Sequence, residues 1–282
     1  VGRLWWLFFL AWPIVAVGWS WAAPSQGWWF PTAAMSPLGA EIDNLFYLIL
    51  VIVSIVFVAT NAALAYVIWR FSRPQEGKGW FFHGSHNLEV LWTIAPAGIL
   101  LFISLYQLDV WARFRIKRNA DQQAMLQPIA EVTARQFEWR IRYPAPDRKF
   151  KNEKEVEDWL KNPRPDDLHT VNDLHVPTGR NVAIHLRSED VLHSFFLPDL
   201  RVKQDAVPGL VIPVWFEANA SKNYELVCAE LCGWGHYKMK GRVVAQQEPE
   251  FRQYLQELAI HQFDDGVSKA DGDQQDSQGE DE

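Results

Sequence analysis

Two thiols, an imidazole and a thioether fall within one short stretch, Cys228-Ala-Glu-Leu-Cys232-Gly-Trp-Gly-His236-Tyr-Lys-Met239. All four are metal donors, and three chemistries compete for them. A local disulfide is the ordinary fate of an isolated cysteine pair in an exported domain. Two sulfurs joined by His236 and a distant histidine would suit tetrahedral zinc. Met239 tilts the balance to copper, which accepts a weak axial thioether beside thiolate and imidazole ligands. A single blue-copper site would use one Cys, two His and the axial Met. The second thiolate suits a pair of copper ions bridged by both sulfurs, each ion taking one His and one weak axial ligand. That count requires another imidazole. His193, in Ser188-Glu189-Asp190-Val191-Leu192-His193-Ser194-Phe195, is the best candidate, at the end of a strand-like run that a β-sandwich loop could bring beside the cysteines. His169, His175 and His185 have no such context and are expected to be structural or solvent-facing.

The rest of the chain must position this loop. Its 282 residues accommodate a membrane anchor and one globular domain of ordinary size. The formal charge of −7 is concentrated at the end, where eight acidic residues between Asp264 and Glu282 face the single Lys269. The near-neutral remainder argues against nucleic acid as a partner, since phosphate binding needs clustered Lys and Arg. Residues 262–282, rich in Asp, Gln, Gly and Ser, are expected to be a solvated, disordered tail. With only Cys228 and Cys232 there is no disulfide scaffold, and no Cys-x-x-Cys-His that would attach a c-type haem.

Residues 1–23 are expected to be a secretory signal with a small-residue exit, or an extra membrane segment. Apolar runs at 44–69 and 88–110 each reach the ~20 residues that cross a bilayer, and they predict a helical hairpin over 40–118. Fifteen tryptophans, crowded toward the N-terminal third, suit membrane-interface belts. Charges on the two flanks leave the hairpin's orientation open. A signal peptide would start it outside, and two crossings would then return the chain to the outer, periplasmic side. Beyond residue 119 short runs rich in Val, Ile, Phe and Tyr, at 131–143, 170–176, 181–186, 211–218 and 237–245, predict a β-sandwich or barrel over 119–261. Residues 149–167 are highly charged and predict a surface insertion with a short helix. Phe251, Tyr254, Leu255 and Leu258 recur at helical spacing and predict a closing amphipathic helix.

The segments Ser188–Ser194 and Lys203-Gln204-Asp205-Ala206-Val207-Pro208-Gly209, the Cys-x-Glu-x-Cys-x-x-x-His-x-x-Met spacing, and Glu89-Val90-Leu91-Trp92-Thr93-Ile94-Ala95-Pro96 together resemble subunit II of cytochrome c oxidase. The resemblance covers residues 40–260 and implies a membrane-anchored, cupredoxin-like Greek-key β-barrel holding the binuclear copper A centre. It implies that Cys228 and Cys232 bridge two copper ions and that His193 and His236 bind one each. Met239 and the backbone carbonyl of Glu230 would supply weak axial contacts. The Glu230 carboxylate would reach a magnesium ion shared with the haem-bearing subunit I, a role suited to a hard cation and oxygen ligands. Glu89 would stand at the mouth of a proton-uptake path, although a charge favourable to a helix N-terminus beside a cap at Asn87 explains it equally.

The resemblance further implies electrons received from cytochrome c or another small donor, and a partner that reduces O2 to water with proton translocation. One departure stands out. Many family members place Trp directly after Gln to receive electrons, and this chain has Phe137 after Gln136; Phe137 and Trp139 are therefore both candidates. Glu189, Asp190, Asp199 and Asp205 are a candidate acidic docking patch. A membrane-tethered copper-binding or delivery protein, and the copper subunit of a nitric-oxide-reducing relative, remain as alternatives. A quinol oxidase subunit lacks such ligands, and nitrous oxide reductase is a much longer chain without the hairpin.

Overall fold

In the computed structural model, residues 4–28, 34–72, 81, 83–116 and 121–276 are described. The chain divides into two compact units. The first is helical, with α1 (Trp5–Ala22), α2 (Pro37–Phe71) and α3 (His86–Arg115), each long and apolar enough to cross a membrane. Leu100, Leu101, Leu105 and Ile94 stand exposed along α3, the surface a bilayer would cover. Trp69, Trp92 and Trp111 sit toward the helix ends, at depths where an amphipathic ring is favoured. Arg113 near the end of α3 donates through Nη1 to Glu41 Oε1 near the start of α2 at 2.8 Å, so the two helices run antiparallel, as a hairpin requires. Arg113 and Arg115 in the last turn of α3 complement the helix dipole, as does Glu89 in the first. The helix begins one residue before Asn87, so Asn87 is not its cap. Ser85 is, its hydroxyl 3.5 Å from the Leu88 N–H.

The second unit carries ten strands: β1 (Ala130–Arg135), β2 (Glu138–Tyr143), β3 (Leu168–Val171), β4 (Asp173–Pro177), β5 (Asn181–Ser188), β6 (His193–Leu197), β7 (Val202–Ala206), β8 (Ile212–Glu217), β9 (Lys222–Cys228) and β10 (Lys240–Gln246). They form two five-stranded sheets, ordered β3-β2-β1-β5-β8 and β4-β10-β9-β6-β7. Both sheets are antiparallel except for the parallel pairs β1–β5 and β4–β10. Consecutive strands β3 and β4 lie in different sheets, and β5 and β6 likewise, which gives the Greek-key crossovers of a cupredoxin-like sandwich. Trp139, Ile141, Leu174, Ile184, Leu186, Phe195 and Leu226 fill the core.

The run at 131–143 is a hairpin that turns at Gln136 and Phe137, and the run at 170–176 breaks at Asn172, whose φ is +59°. Residues 236–238 form a 3-10 turn ahead of β10. Strands β6, β7 and β9 lie outside the runs picked from the sequence.

A short helix α4 (Gln122–Leu126) precedes β1, and the insertion is built around α5 (Glu153–Lys161), capped by Asn152 Oδ1 accepting from the Glu155 N–H at 3.0 Å. Val156, Trp159 and Leu160 on its inner face pack with Phe150. The closing helix α6 (Glu248–Asp276) runs past residue 262, into the stretch expected to be disordered. Extending an anchored helix costs far less than nucleating one, so this polar sequence prolongs a helix it would not start. Residues 277–282 lie outside the described residues.

Candidate metal centre

Three connections of the second sheet deliver the donor groups. β6 opens with His193, β9 closes with Cys228, and the loop from Ala229 to Met239 carries Cys232 and His236 back to β10. Strand pairing fixes the frame, since β6 and β9 are neighbours with Phe195 opposite Cys228. The loop is tied down at both ends. Cys228 N–H donates to Met239 O at 3.2 Å and Ala229 N–H to Ser194 O at 3.0 Å.

Cys228 Sγ and Cys232 Sγ are 3.8 Å apart, far beyond the ~2.05 Å of a disulfide. His193 Nδ1 lies 3.9 Å from Cys228 Sγ, and His236 Nδ1 lies 3.6 Å from Cys232 Sγ. Met239 Sδ is 3.8 Å from Cys232 Sγ, and the Glu230 carbonyl oxygen is 3.1 Å from Cys228 Sγ. Cys228, Cys232 and Met239 are buried, and His193 is fully so. The donor atoms of His193, Cys228 and Cys232 lie within 4.8 Å of one another. Metal–thiolate bonds of about 2.3 Å let an ion reach both sulfurs at this spacing, so the donor set fits a thiolate-bound metal such as copper. The Cys228 thiol resists burial and is pulled down to about 6, by hydrogen bonds from His193 first and then from backbone groups. Burial, and next the charge of Cys228, push Cys232 up. One thiolate is thus favoured before any ion binds, and a cation would favour the second.

Asp190 orients the first imidazole. Its Oδ1 is 2.8 Å from His193 Nε2, which leaves Nδ1 turned to Cys228. Its Oδ2 accepts the Gln136 N–H at 2.7 Å, and Gln136 Nε2 donates to Cys232 O at 2.6 Å. The β1–β2 turn therefore lies on the ligand loop, and this explains the two glycines there. A Cβ on Gly233 would come 2.7 Å from Gln136 Nε2, and one on Gly235 would come 2.5 Å from Phe137 Cδ2.

All six expected ligand residues converge. Trp139 has no exposed surface, because its ring packs edge-on against Phe195 and His193 at 5.7 and 6.4 Å between centroids, so it offers a donor nothing to touch. Of the four acidic residues, Asp199 pairs with Lys222 at 2.9 Å, Asp190 holds His193 at 2.8 Å, Glu189 lies 3.6 Å from an Arg140 that Glu138 holds at 2.8 Å, and Asp205 is half-buried on β7. Phe137 is half-buried beside the loop, and Glu89 is exposed in the first turn of α3. Sequence reasoning passed over Gln136 and the buttressing role of Phe137; Gly-x-Gly between ligands was the available signal for a close neighbour.

The fold and these residues define a membrane-anchored cupredoxin. The profile of the family described as cytochrome c oxidase subunit II, periplasmic domain, matches residues 129–246, and that of its transmembrane domain matches 23–110. The alternative cytochrome c oxidase subunit 2 of Bradyrhizobium diazoefficiens is 30% identical over 244 residues, covering 83% of this chain and 84% of the relative. Cytochrome c oxidase subunit 2 of Thermostichus vulcanus is 29% identical over 259 residues, covering 74% and 72%. Among solved structures, the periplasmic domain of subunit II of cytochrome oxidase of Bradyrhizobium japonicum aligns with a TM-score of 0.38 and 22% identity, over 47% of this chain and 93% of that one. The chain belongs to the cytochrome c oxidase subunit II family. It is a membrane protein with an outer-side domain, and it serves electron transfer as one subunit of a haem–copper terminal oxidase, an oxidoreductase.

Proposed function

We propose that the chain accepts one electron at a time from cytochrome c or a similar small carrier at a binuclear copper A centre. It passes each electron to the haem-bearing subunit, where O2 is reduced to water with proton translocation. The observation that carries this reading is the pair of thiols 3.8 Å apart, each with its own imidazole, at 3.9 and 3.6 Å. Cys228, Cys232, His193 and His236 would hold the copper, with Met239 and the Glu230 carbonyl as further donors. When bound, such a copper pair supplies one-electron redox chemistry with the charge change shared between two ions.

The chain's own residues do the rest. Asp190 holds the His193 ring, the backbone tie of Cys228 to Met239 keeps the loop from moving as charge arrives, and the apolar packing of Trp139 and Phe195 excludes water. The Glu230 side chain, half-buried on the loop, would give one carboxylate to a magnesium ion, with the other oxygens coming from water and the partner subunit. Glu89 would receive protons for the partner. Its place in the first turn of an apolar helix supports this, and turnover unchanged by Glu89→Gln would count against it. The main test is copper content and electron paramagnetic resonance of the purified protein. Two coppers per chain sharing one unpaired electron support the proposal, whereas a single-copper spectrum or zinc would overturn it.

A further inference from the structure

Trp234 stands two residues from Cys232 and two from His236 and is 81% exposed, the most open of the large apolar residues in the β domain. Leaving so large a ring in water forgoes the favourable burial of its apolar surface. Its position is nonetheless supported, because the ring packs edge-on against Phe137 at 5.3 Å between centroids. Phe137 in turn lies on the loop backbone, where a Cβ at Gly235 would fall 2.5 Å from its Cδ2. One edge of Trp234 is thus braced against the loop, and the remainder faces outward. Close by in sequence, the residues before His193 are also apolar and partly open, with Val191 at 37% and Leu192 at 38%. Of the nearby carboxylates, Asp190 is taken by His193 and Gln136, and Glu189 shares Arg140 with Glu138 at 3.6 and 2.8 Å. What stands out by the metal loop is a large aromatic contact with apolar neighbours.

We propose that Trp234 is the point at which an external electron carrier docks and delivers its electron, taking the part Trp139 cannot play. The proposal rests on the copper reading above. The carrier that fits is a small soluble one-electron protein with an apolar collar around the edge of its cofactor. Exposed Trp is the residue type that anchors such contacts. One electron leaves the carrier, which ends oxidised by one unit, and reaches the ligand set through Trp234, Gly233 and Cys232. No bond breaks and no proton is transferred.

The experiment uses the whole purified oxidase complex with a reduced soluble monohaem c-type cytochrome as the probe. Trp234→Ala, Trp234→Phe and wild type are compared by stopped flow, copper resonance spectrum and probe affinity. For Trp234→Ala we expect probe-driven reduction and probe affinity to fall by about tenfold, with partial recovery in Trp234→Phe. The copper spectrum and reduction by hexaammineruthenium(II) should stay as in wild type. Probe-driven reduction in Trp234→Ala within about twofold of wild type would overturn the proposal, being smaller than the loss expected of an anchoring residue. Unchanged probe kinetics with slowed transfer to the haem would overturn it too, and would assign Trp234 to the subunit contact. A wild-type complex lacking the two-copper signal would sink the underlying reading as well, a result the spectrum separates from the other two.

Discussion

The metal loop and the charged insertion both bury polar groups, and they treat them in opposite ways. In the insertion Asp167, with a fully buried side chain, takes the Arg142 guanidinium at 2.6 Å, the Trp159 indole N–H at 2.9 Å and the Arg164 N–H at 2.9 Å. Arg142 also holds Glu131 at 2.7 Å and lies over the Trp159 ring at 4.3 Å. Both carboxylate oxygens of Asp167 and both of Glu131 have partners within the chain. In the loop the sulfur–nitrogen separations of 3.6–3.9 Å are long, and the donors face one another without a proton arrangement that satisfies them all. Groups saturated by their own chain serve architecture. Groups gathered with bonding capacity to spare await a ligand.

The largest effect expected from this contrast is at the loop. Cys232→Ser removes one bridging thiolate, so copper should fall from two per chain to one or none by metal analysis, and the shared-electron spectrum should vanish. Retention of both coppers would erase the distinction between the two regions. At the insertion, Arg142→Met leaves Asp167 and Glu131 as buried charges without their main partner and should cost about 3–5 kcal/mol in denaturant unfolding of the β domain. The copper spectrum of the folded fraction should be that of wild type. Adding Asp167→Asn to Arg142→Met should cost less than the two single changes together, because members of one network are coupled.

The ligand chemistry was legible because it is local. Cys228, Cys232, His236 and Met239 lie in one loop, and only His193 had to be brought from another strand. The hairpin was legible because a bilayer demands long uninterrupted apolar runs. Strand β9 was harder to read. Its outward face carries Asn223 and Glu225, and its inward residues are only Tyr224, Leu226 and Cys228, a pattern too short to register without its neighbours. Strands β6 and β7 were hidden by their place beside functional sequence. The pairing of two of the acidic residues involves partners distant in the chain, Asp199 with Lys222 and Glu189 with Arg140, which spacing does not reveal. The burial of Trp139 follows from the tight turn at Gln136–Phe137, which sets β2 in register with β1. One slip in that register would have turned it outward.

Smaller effects sharpen the architectural half of the contrast. Asn152→Ala removes the α5 cap and should cost about 1 kcal/mol in the same unfolding measurement, since only the first turn of that helix loosens. The smallest concerns His175, which lies flat on Tyr254 at 3.5 Å between centroids, with Gln246 3.1 Å from Nδ1 and Asp173 3.4 Å from Nε2. Burial first, and then the nearby Arg242, lower its pKa below 6.5 despite the pull of Asp173. The unfolded chain therefore takes up this proton before the folded one does. Stability contributed here is complete above pH 6.5, declines as pH falls below it, and levels off beneath the lowered folded value. Asp173, itself held below 3.8 by Arg242 and His175 against the effect of burial, loses its contribution only at more acidic pH. His175→Asn should flatten the upper part of the stability–pH curve by less than about 1 kcal/mol and leave the acid limb in place. An unchanged slope between pH 6.5 and 5 would mean that protons reach this packed cluster as freely as bulk water, and its saturation by internal partners would no longer distinguish it from the loop.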